Sequence, residues 1–154
     1  MPNRSFPLLL LAILALAGCL MRDTRLEVHL RPESGPATTE FRDLRKFVES
    51  AIEKEGMQKA RCFDRESGEL CQYVFPERVA ADRAHKISID AYFDPAERSV
   101  EVAVLEHRDN AYENAVGIRD RLLAAVKQRF GDASCESRKA LVIPTGIMHC
   151  EVGG

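Results

Sequence analysis

The sequence contains no tryptophan, and only 6% of its residues are aromatic, so it offers few of the side chains that line a deep ligand pocket. Short catalytic motifs are also missing. No serine lies in the G-x-S-x-G setting of a hydrolase nucleophile, and neither a glycine-rich loop nor D-F-G accompanies the H-R-D triplet at 107–109. The sequence therefore carries none of these signatures of an enzyme.

Metal and nucleic-acid binding also lack their usual sequence signals. The cysteines do not show the C-x₂-C spacing of zinc sites, and no H-x-H or H-x-x-x-H spacing occurs among His29, His85, His107 and His149. We therefore predict no metal and no cofactor. The 22 basic and 24 acidic residues are finely mixed along the chain, which leaves no basic face to neutralise a nucleic-acid backbone.

An apolar segment near the N-terminus is the clearest feature that is present. A positively charged start at residues 1–4 precedes an almost purely aliphatic run from Phe6 to Ala17. The run is too short to cross a hydrocarbon core of about 30 Å, which takes a helix of roughly 20 residues. Its layout is instead that of a secretory signal peptide.

The end of this segment, residues 16–19 with the sequence Leu-Ala-Gly-Cys, resembles the lipobox of bacterial lipoproteins. The resemblance covers residues 1–19 alone. It implies that residues 1–18 are removed and that Cys19 becomes a lipidated N-terminus carrying a diacylglyceryl group and an amide-linked acyl chain such as palmitate. Two or three chains anchor a protein stably, whereas one holds it marginally. The alternative is an ordinary secreted protein with a cysteine near its cleavage site.

The same resemblance implies a location and a kind of partner. In the family, aspartate directly after the cysteine favours retention in the inner membrane, and here that position is Leu20. The expected location is therefore the outer membrane of the bacterial envelope, facing the periplasm. The membrane is reached through the lipid anchor, and we expect an envelope protein, and no nucleic acid, as the binding partner.

The other four cysteines form an even set, Cys62, Cys71, Cys135 and Cys150. Thiols of an exported chain are expected to pair in an oxidising compartment. Of the three possible connectivities, the spacing favours Cys62 with Cys71 and Cys135 with Cys150.

Each pair is expected to close a hairpin. A turn over residues 66–68, with Gly68 at a position of positive φ, places the first two cysteines opposite each other within about one residue. A turn at residues 144–146 would instead place Cys150 opposite Ala140. The second disulfide therefore requires a bulge or a bend to bring Cys135 into reach.

Hydrophobic periodicity predicts two amphipathic helices and at least two paired strands. One helix spans 39–55 before a glycine cap at Gly56, and another runs from a capping box at Asn110 to Gly131. Strict alternation at 86–94 and 99–107 predicts antiparallel neighbours with one buried face. Further strand-like runs occupy 136–143 and 147–152, whereas 26–30 is either a first strand or part of a mobile tether.

This order predicts an α+β fold: an antiparallel sheet of about four to six strands with two helices packed on one face, a two-layer sandwich stapled by disulfides. Residues 1–18 form the removed signal peptide. Residues 19–38 hold the lipidated cysteine and the tether or first strand, and a tether of this length reaches some 60 Å. Residues 39–154 form a single domain.

The candidate acid-base residues are Asp90 and Glu101 on the polar sheet face and Asp94 at a strand end. Paired carboxylates held about 5 to 9 Å apart can hydrolyse glycosides, but any solvated sheet face carries such charges. We therefore expect a non-enzymatic binding module, either an envelope assembly component or an inhibitor or immunity-type protein, since tethering raises effective concentration. A small periplasmic hydrolase acting on cell-wall glycan and a carrier of lipid or small ligands are the alternatives.

Overall fold

The structure is a computed structural model that describes residues 22–31, 37–76, 87–106, 112–131, 134–139 and 146–152. These residues form two helices, α1 (Ala37–Lys54) and α2 (Tyr112–Phe130). They also form seven strands: β1 (Arg22–Leu30), β2 (Gln58–Asp64), β3 (Glu69–Val74), β4 (Ile87–Asp94), β5 (Ser99–Glu106), β6 (Ser134–Lys139) and β7 (Gly146–Val152).

All seven strands belong to one sheet, in the order β2-β3-β4-β5-β1-β7-β6. Five neighbouring pairs are antiparallel, and the β1–β7 pair is parallel. The predicted α+β class is confirmed, with a sheet that is larger than expected and mixed. Strand β1 lies inside the sheet, so residues 22–30 form a strand rather than a tether.

The core lies between one face of this sheet and the two helices. The helices bury the stripes predicted from their periodicity, including Leu44 and Ile52 of α1 and Leu122 and Val126 of α2. Alternate residues of the inner strands meet them: Leu26, Val28, Ile89, Ala91, Phe93, Val100, Val102 and Val104. Because both helices cover the same face, the described residues place no helix on the opposite face of the sheet.

Glycines end both helices, as predicted. Gly56 follows α1 with a φ of 86°, and Gly131 follows α2 with a φ of 83°. Only glycine adopts this left-handed conformation without strain. The amide of Gly131 donates to the carbonyl of Lys127 at 3.0 Å, which closes the last turn of α2.

The first predicted disulfide is confirmed, but the predicted role of Gly68 is wrong. Cys62 and Cys71 lie directly opposite in the β2–β3 register and form a disulfide. Among the described glycines only Gly56 and Gly131 have positive φ. Gly68 is needed for a different reason: a Cβ atom there would lie 2.0 Å from the carbonyl oxygen of Phe93.

The β6–β7 hairpin departs from the expected geometry. Its register pairs Lys139 with Gly146 and Cys135 with Cys150, with no bulge between them. The bulge or bend predicted to bring Cys135 into reach is therefore wrong, because β6 and β7 stay in register from Cys135 to Lys139. Most of the predicted turn at 144–146 lies outside the described residues. Cys150 is disulfide-bonded, and the register supports the predicted pairing with Cys135, whose side chain lies outside the described part of the chain.

Substitution of Gly68 tests the close contact between the β2–β3 turn and β4. We expect Gly68→Ala to lower the free energy of unfolding by about 1 to 3 kcal/mol, because an overpacked contact with backbone must open. The matched control is Gly117→Ala in α2, where the new Cβ meets only the flexible end of Arg121 at 3.3 Å. It should be neutral or stabilise by up to about 1 kcal/mol. Equal urea midpoints for the two variants would contradict the assignment.

Candidate functional site on the open face of the sheet

The side of the sheet opposite the helices, called here the open face, is the candidate site. Strand alternation determines which side chains lie on the open face, because residues two apart in a strand point to the same side. The face combines charged, polar and apolar side chains: Asp23, Arg25, Glu27, His29, Leu70, Gln72, Val74, Ser88, Asp90, Tyr92, Glu101, Leu105, Ile147, His149 and Glu151.

An arginine at the centre of the open face binds two carboxylates. Arg25 donates from Nε to Asp23 at 2.9 Å and from Nη1 to Glu101 at 2.7 Å. Burial lowers the pKa of Arg25, but the hydrogen bonds and charges of Asp23 and Glu101 outweigh it and raise the pKa overall. Glu27 lies directly opposite Glu101 in the β1–β5 register. Arg25 therefore offsets the charge of Glu101, which reduces the like-charge repulsion between Glu101 and Glu27.

Two histidines and a glutamate meet beside this arginine. The parallel register places Glu27 of β1 opposite His149 of β7, and His149 Nδ1 lies 3.0 Å from Glu27 Oε2. Because a carboxylate oxygen accepts, His149 donates from Nδ1. The rings of His29 and His149 lie 4.5 Å apart between centroids and are tilted by 38°. One nitrogen or oxygen atom from each of the three residues lies within 4.8 Å of the others.

The groups around His29 shift its pKa in opposite directions. Burial lowers the pKa of His29 below 6.5, and the neighbouring His149 lowers it further. The carboxylates of Glu27, Glu151 and Glu97 raise it, without reversing the shift. Glu151 is the register partner of His29 across β1 and β7. The neutral imidazole, which is the form that binds metals, is therefore favoured at this position.

Asp90 and Glu101 both lie on the open face, as predicted, but the structure gives each of them a partner. Asp90 faces Ala103 and Glu101 faces Tyr92, so the two carboxylates occupy different rows of the sheet. Gln72 Nε2 donates to Asp90 Oδ1 at 3.0 Å. Since Glu101 is held by Arg25, both carboxylates make contacts that stabilise a sheet surface.

Asp94 has a structural position at the end of β4. It is buried, and its Oδ1 accepts from the backbone amides of Ala96 at 2.9 Å and Glu97 at 3.0 Å. These bonds shape the turn into β5, where Arg98 adopts a φ of 52°. The amide of Glu97, with other hydrogen bonds, lowers the pKa of Asp94 despite its burial. Asp94 is therefore explained as a turn cap.

Apolar side chains are exposed at one end of the open face. Val74 of β3 is 41% exposed and Phe63 of β2 is 39% exposed, and the guanidinium of Arg61 lies 4.9 Å from the centre of the Phe63 ring. Every residue of β2 is exposed, and β2 is an outer strand of the sheet. Exposed edge strands and apolar side chains are features that binding partners use.

Of the other predicted site residues, the structure describes some and not others. Cys19 lies outside the described residues. Cys62 and Cys71 lie near Glu69, in a grouping that would suit a metal, but their sulfur atoms are joined to each other and do not offer thiolates. The approach of His29 to His149 was not predicted from the sequence. The pattern of Glu27 and His29, two residues apart on a strand, was the only local signal for it.

Substitution of two of the candidate carboxylates separates a turn cap from a surface residue. We expect Asp94→Ala to lower the free energy of unfolding by about 1 to 3 kcal/mol, because two backbone amides lose their acceptor. Asp90→Ala, the matched control, should cost under about 1 kcal/mol. Because the pKa of Asp94 is below its ordinary value, its contribution is present above about pH 4 and is lost as the pH falls. Urea unfolding at pH 7 and pH 3 measures both effects, and equal losses for the two variants would refute the cap.

Comparisons of the chain with protein-family models, with curated proteins and with solved structures gave no match. Within the described residues, neither helix is both long and apolar enough to cross a membrane. A functional interpretation must therefore come from the open face and from the N-terminal sequence.

Proposed function

We propose that this protein is an envelope lipoprotein, anchored through Cys19 in the bacterial outer membrane, that binds a second envelope protein through the open face. The observation that carries the proposal is that, among the residues the structure describes, helices cover one face of the sheet only. Both helices pack on one face, while the other presents fixed ion pairs beside exposed apolar side chains. A surface of this kind is suited to recognition.

The size of the open face supports the proposal. Seven strands about 4.8 Å apart, each about 20 to 25 Å long, give an area of roughly 600 to 750 Å². A standard interface buries about 800 Å² on each partner. The open face can therefore supply most of one side of a stable interface without a further domain.

The charges of the open face restrict its partner. Asp23, Arg25 and Glu101 hold one another in fixed positions, and the carboxylates of Glu27 and Glu151 leave an acidic surplus along β1 and β7. Tyr92 and Leu70 add an apolar strip on the neighbouring strands. The complementary partner is a protein with basic side chains around an apolar centre.

The anchor would hold this surface close to the membrane. Strand β1 begins at Arg22, only three residues after Cys19, and three residues span at most about 10 Å. The 60 Å spacer considered from the sequence is therefore replaced by a short connection. A partner on the open face must itself lie near the membrane, where tethering gives it a high effective concentration.

Glycoside hydrolysis has less support. Glu101 is bound by Arg25, and Asp94 accepts hydrogen bonds from two backbone amides. Neither carboxylate is therefore available to act as a general acid or base. We therefore propose binding rather than hydrolysis, because binding involves the whole open face and not an isolated pair of carboxylates.

The anchor is tested by replacing the cysteine of the lipobox. We expect Cys19→Ala to abolish incorporation of radiolabelled palmitate and to release the protein from washed membranes, because the thiol is the attachment point. The double variant Cys62→Ala/Cys71→Ala is the control and should stay labelled and membrane-bound. A Cys19→Ala protein that is still processed and still membrane-bound would exclude a lipoprotein.

The binding surface is tested by photo-cross-linking in native membranes. A photoreactive amino acid at Val74 or Glu151, both exposed on the open face, should yield the same protein adduct. The same probe at Glu53 or Lys127, exposed on the helices, should yield none.

A charge reversal then tests whether the adduct is specific. With the probe at Val74, Glu151→Arg should lower the adduct yield at least about fivefold, since one favourable charge contact is replaced by a repulsive one. Glu53→Arg on α1 is the matched control and should leave the yield unchanged. Adducts from the helical positions, or equal yields from the two reversals, would contradict binding through the open face.

A further inference from the structure

The structure assigns a transition-metal site of the Zn²⁺ class to Glu27, His29 and His149, where strands β1 and β7 meet on the open face. Neither the fold nor the proposed binding function requires this site. The inference rests on the geometry of the three side chains, on the chemistry of their donor atoms and on the charges around them.

The donor atoms already lie close to the positions that a metal needs. His149 Nδ1 and Glu27 Oε2 are 3.0 Å apart, and each of the three residues offers an atom within 4.8 Å of the others. A tetrahedral ion with bonds of about 2.1 Å holds its ligand atoms about 3.4 Å apart. A shift of the His29 ring by no more than about 1.4 Å therefore completes the set, and the ion takes the place of the proton between His149 and Glu27.

The backbone under these residues is fixed on both sides. Strand β1 pairs with β5 over its length and with β7 from Arg25 onward, so Glu27 and His29 are held by two sets of ladder hydrogen bonds. All three side chains are half-buried. A ligand set on rigid strands loses little conformational entropy when an ion binds, and precise sites are built on such elements.

The donor set selects the metal class. Two imidazole nitrogens and one carboxylate oxygen suit Zn²⁺ and its neighbours Co²⁺, Ni²⁺ and Cu²⁺, whereas Ca²⁺ and Mg²⁺ prefer oxygen alone. Three protein ligands leave the fourth tetrahedral position open toward solvent. The ion would thus be held at the surface of the sheet and not enclosed within it.

The neighbouring charges favour a cation. Glu151 is the register partner of His29, and Glu101 is the register partner of Glu27. Arg25 is engaged with Asp23 and Glu101, so it offsets that pair rather than the carboxylate of Glu27. Glu151 therefore places a further carboxylate on the residue directly across the ladder from His29.

The test uses the full chain purified in detergent without a histidine tag, stripped with chelator and titrated calorimetrically with Zn²⁺. We expect one ion per chain. His149→Asn and the isosteric Glu27→Gln should each weaken Zn²⁺ binding more than about tenfold. Loss of an outer-shell partner alone weakens metal binding by about tenfold or more, and loss of a direct ligand should weaken it further. Co²⁺ should give the intense visible absorption of a tetrahedral site in the parent protein and lose it in both variants.

Two control variants identify the ligands. Asp90→Asn removes an open-face carboxylate two strands away, and His85→Asn/His107→Asn removes the remaining histidines. Both should bind Zn²⁺ as the parent does.

Absence of stoichiometric binding, full affinity in both Glu27→Gln and His149→Asn, or an equal loss in either control would overturn the site. Thermal unfolding of each variant without metal shows whether it folds. If His149→Asn does not fold, the Zn²⁺ affinity of Glu27→Gln alone tests the site. Failure here leaves the anchor and the binding partner untouched, because neither enters the titration.

Discussion

Strand β1 is the element on which the rest of the structure depends. It pairs with β5 on one side and with β7 on the other, so without it the sheet would divide into a four-stranded part and the β6–β7 hairpin. Its covered side contributes Leu26 and Val28, both fully buried. Its Thr24 accepts a hydrogen bond from Arg119 of α2 at 2.7 Å. One strand therefore joins the two parts of the sheet and fixes a helix to them.

Local patterns predicted what local forces determine. The helix stripe ending at Gly56 and the alternation in β4 and β5 reflect burial of one face, and both were confirmed. The disulfide between Cys62 and Cys71 follows from hairpin geometry. Gly68 shows the limit of such reasoning, because its cause is a contact with Phe93 of another strand, which no turn pattern contains.

The position of β1 and the histidine cluster could not be predicted in the same way. A parallel pairing of residues 25–30 with 147–152 leaves no mark on local sequence, since alternation fits an edge strand, an inner strand or an extended tether equally. His29 and His149 therefore looked isolated. Asp90 and Glu101 were placed on the correct face, but their partners Gln72 and Arg25 come from strands whose order the sequence does not state.

The place of β1 also gives the proposed anchor a mechanical consequence. A lipid on Cys19 would attach the membrane to an inner strand only three residues away. A partner pulling on the open face would load the β1–β5 and β1–β7 ladders along the strand direction, where many backbone hydrogen bonds share the force at once. An anchor on an outer strand such as β2 would instead load a single ladder. Attachment at β1 would therefore couple the membrane to the core and to the open face through a strand that is paired on both sides.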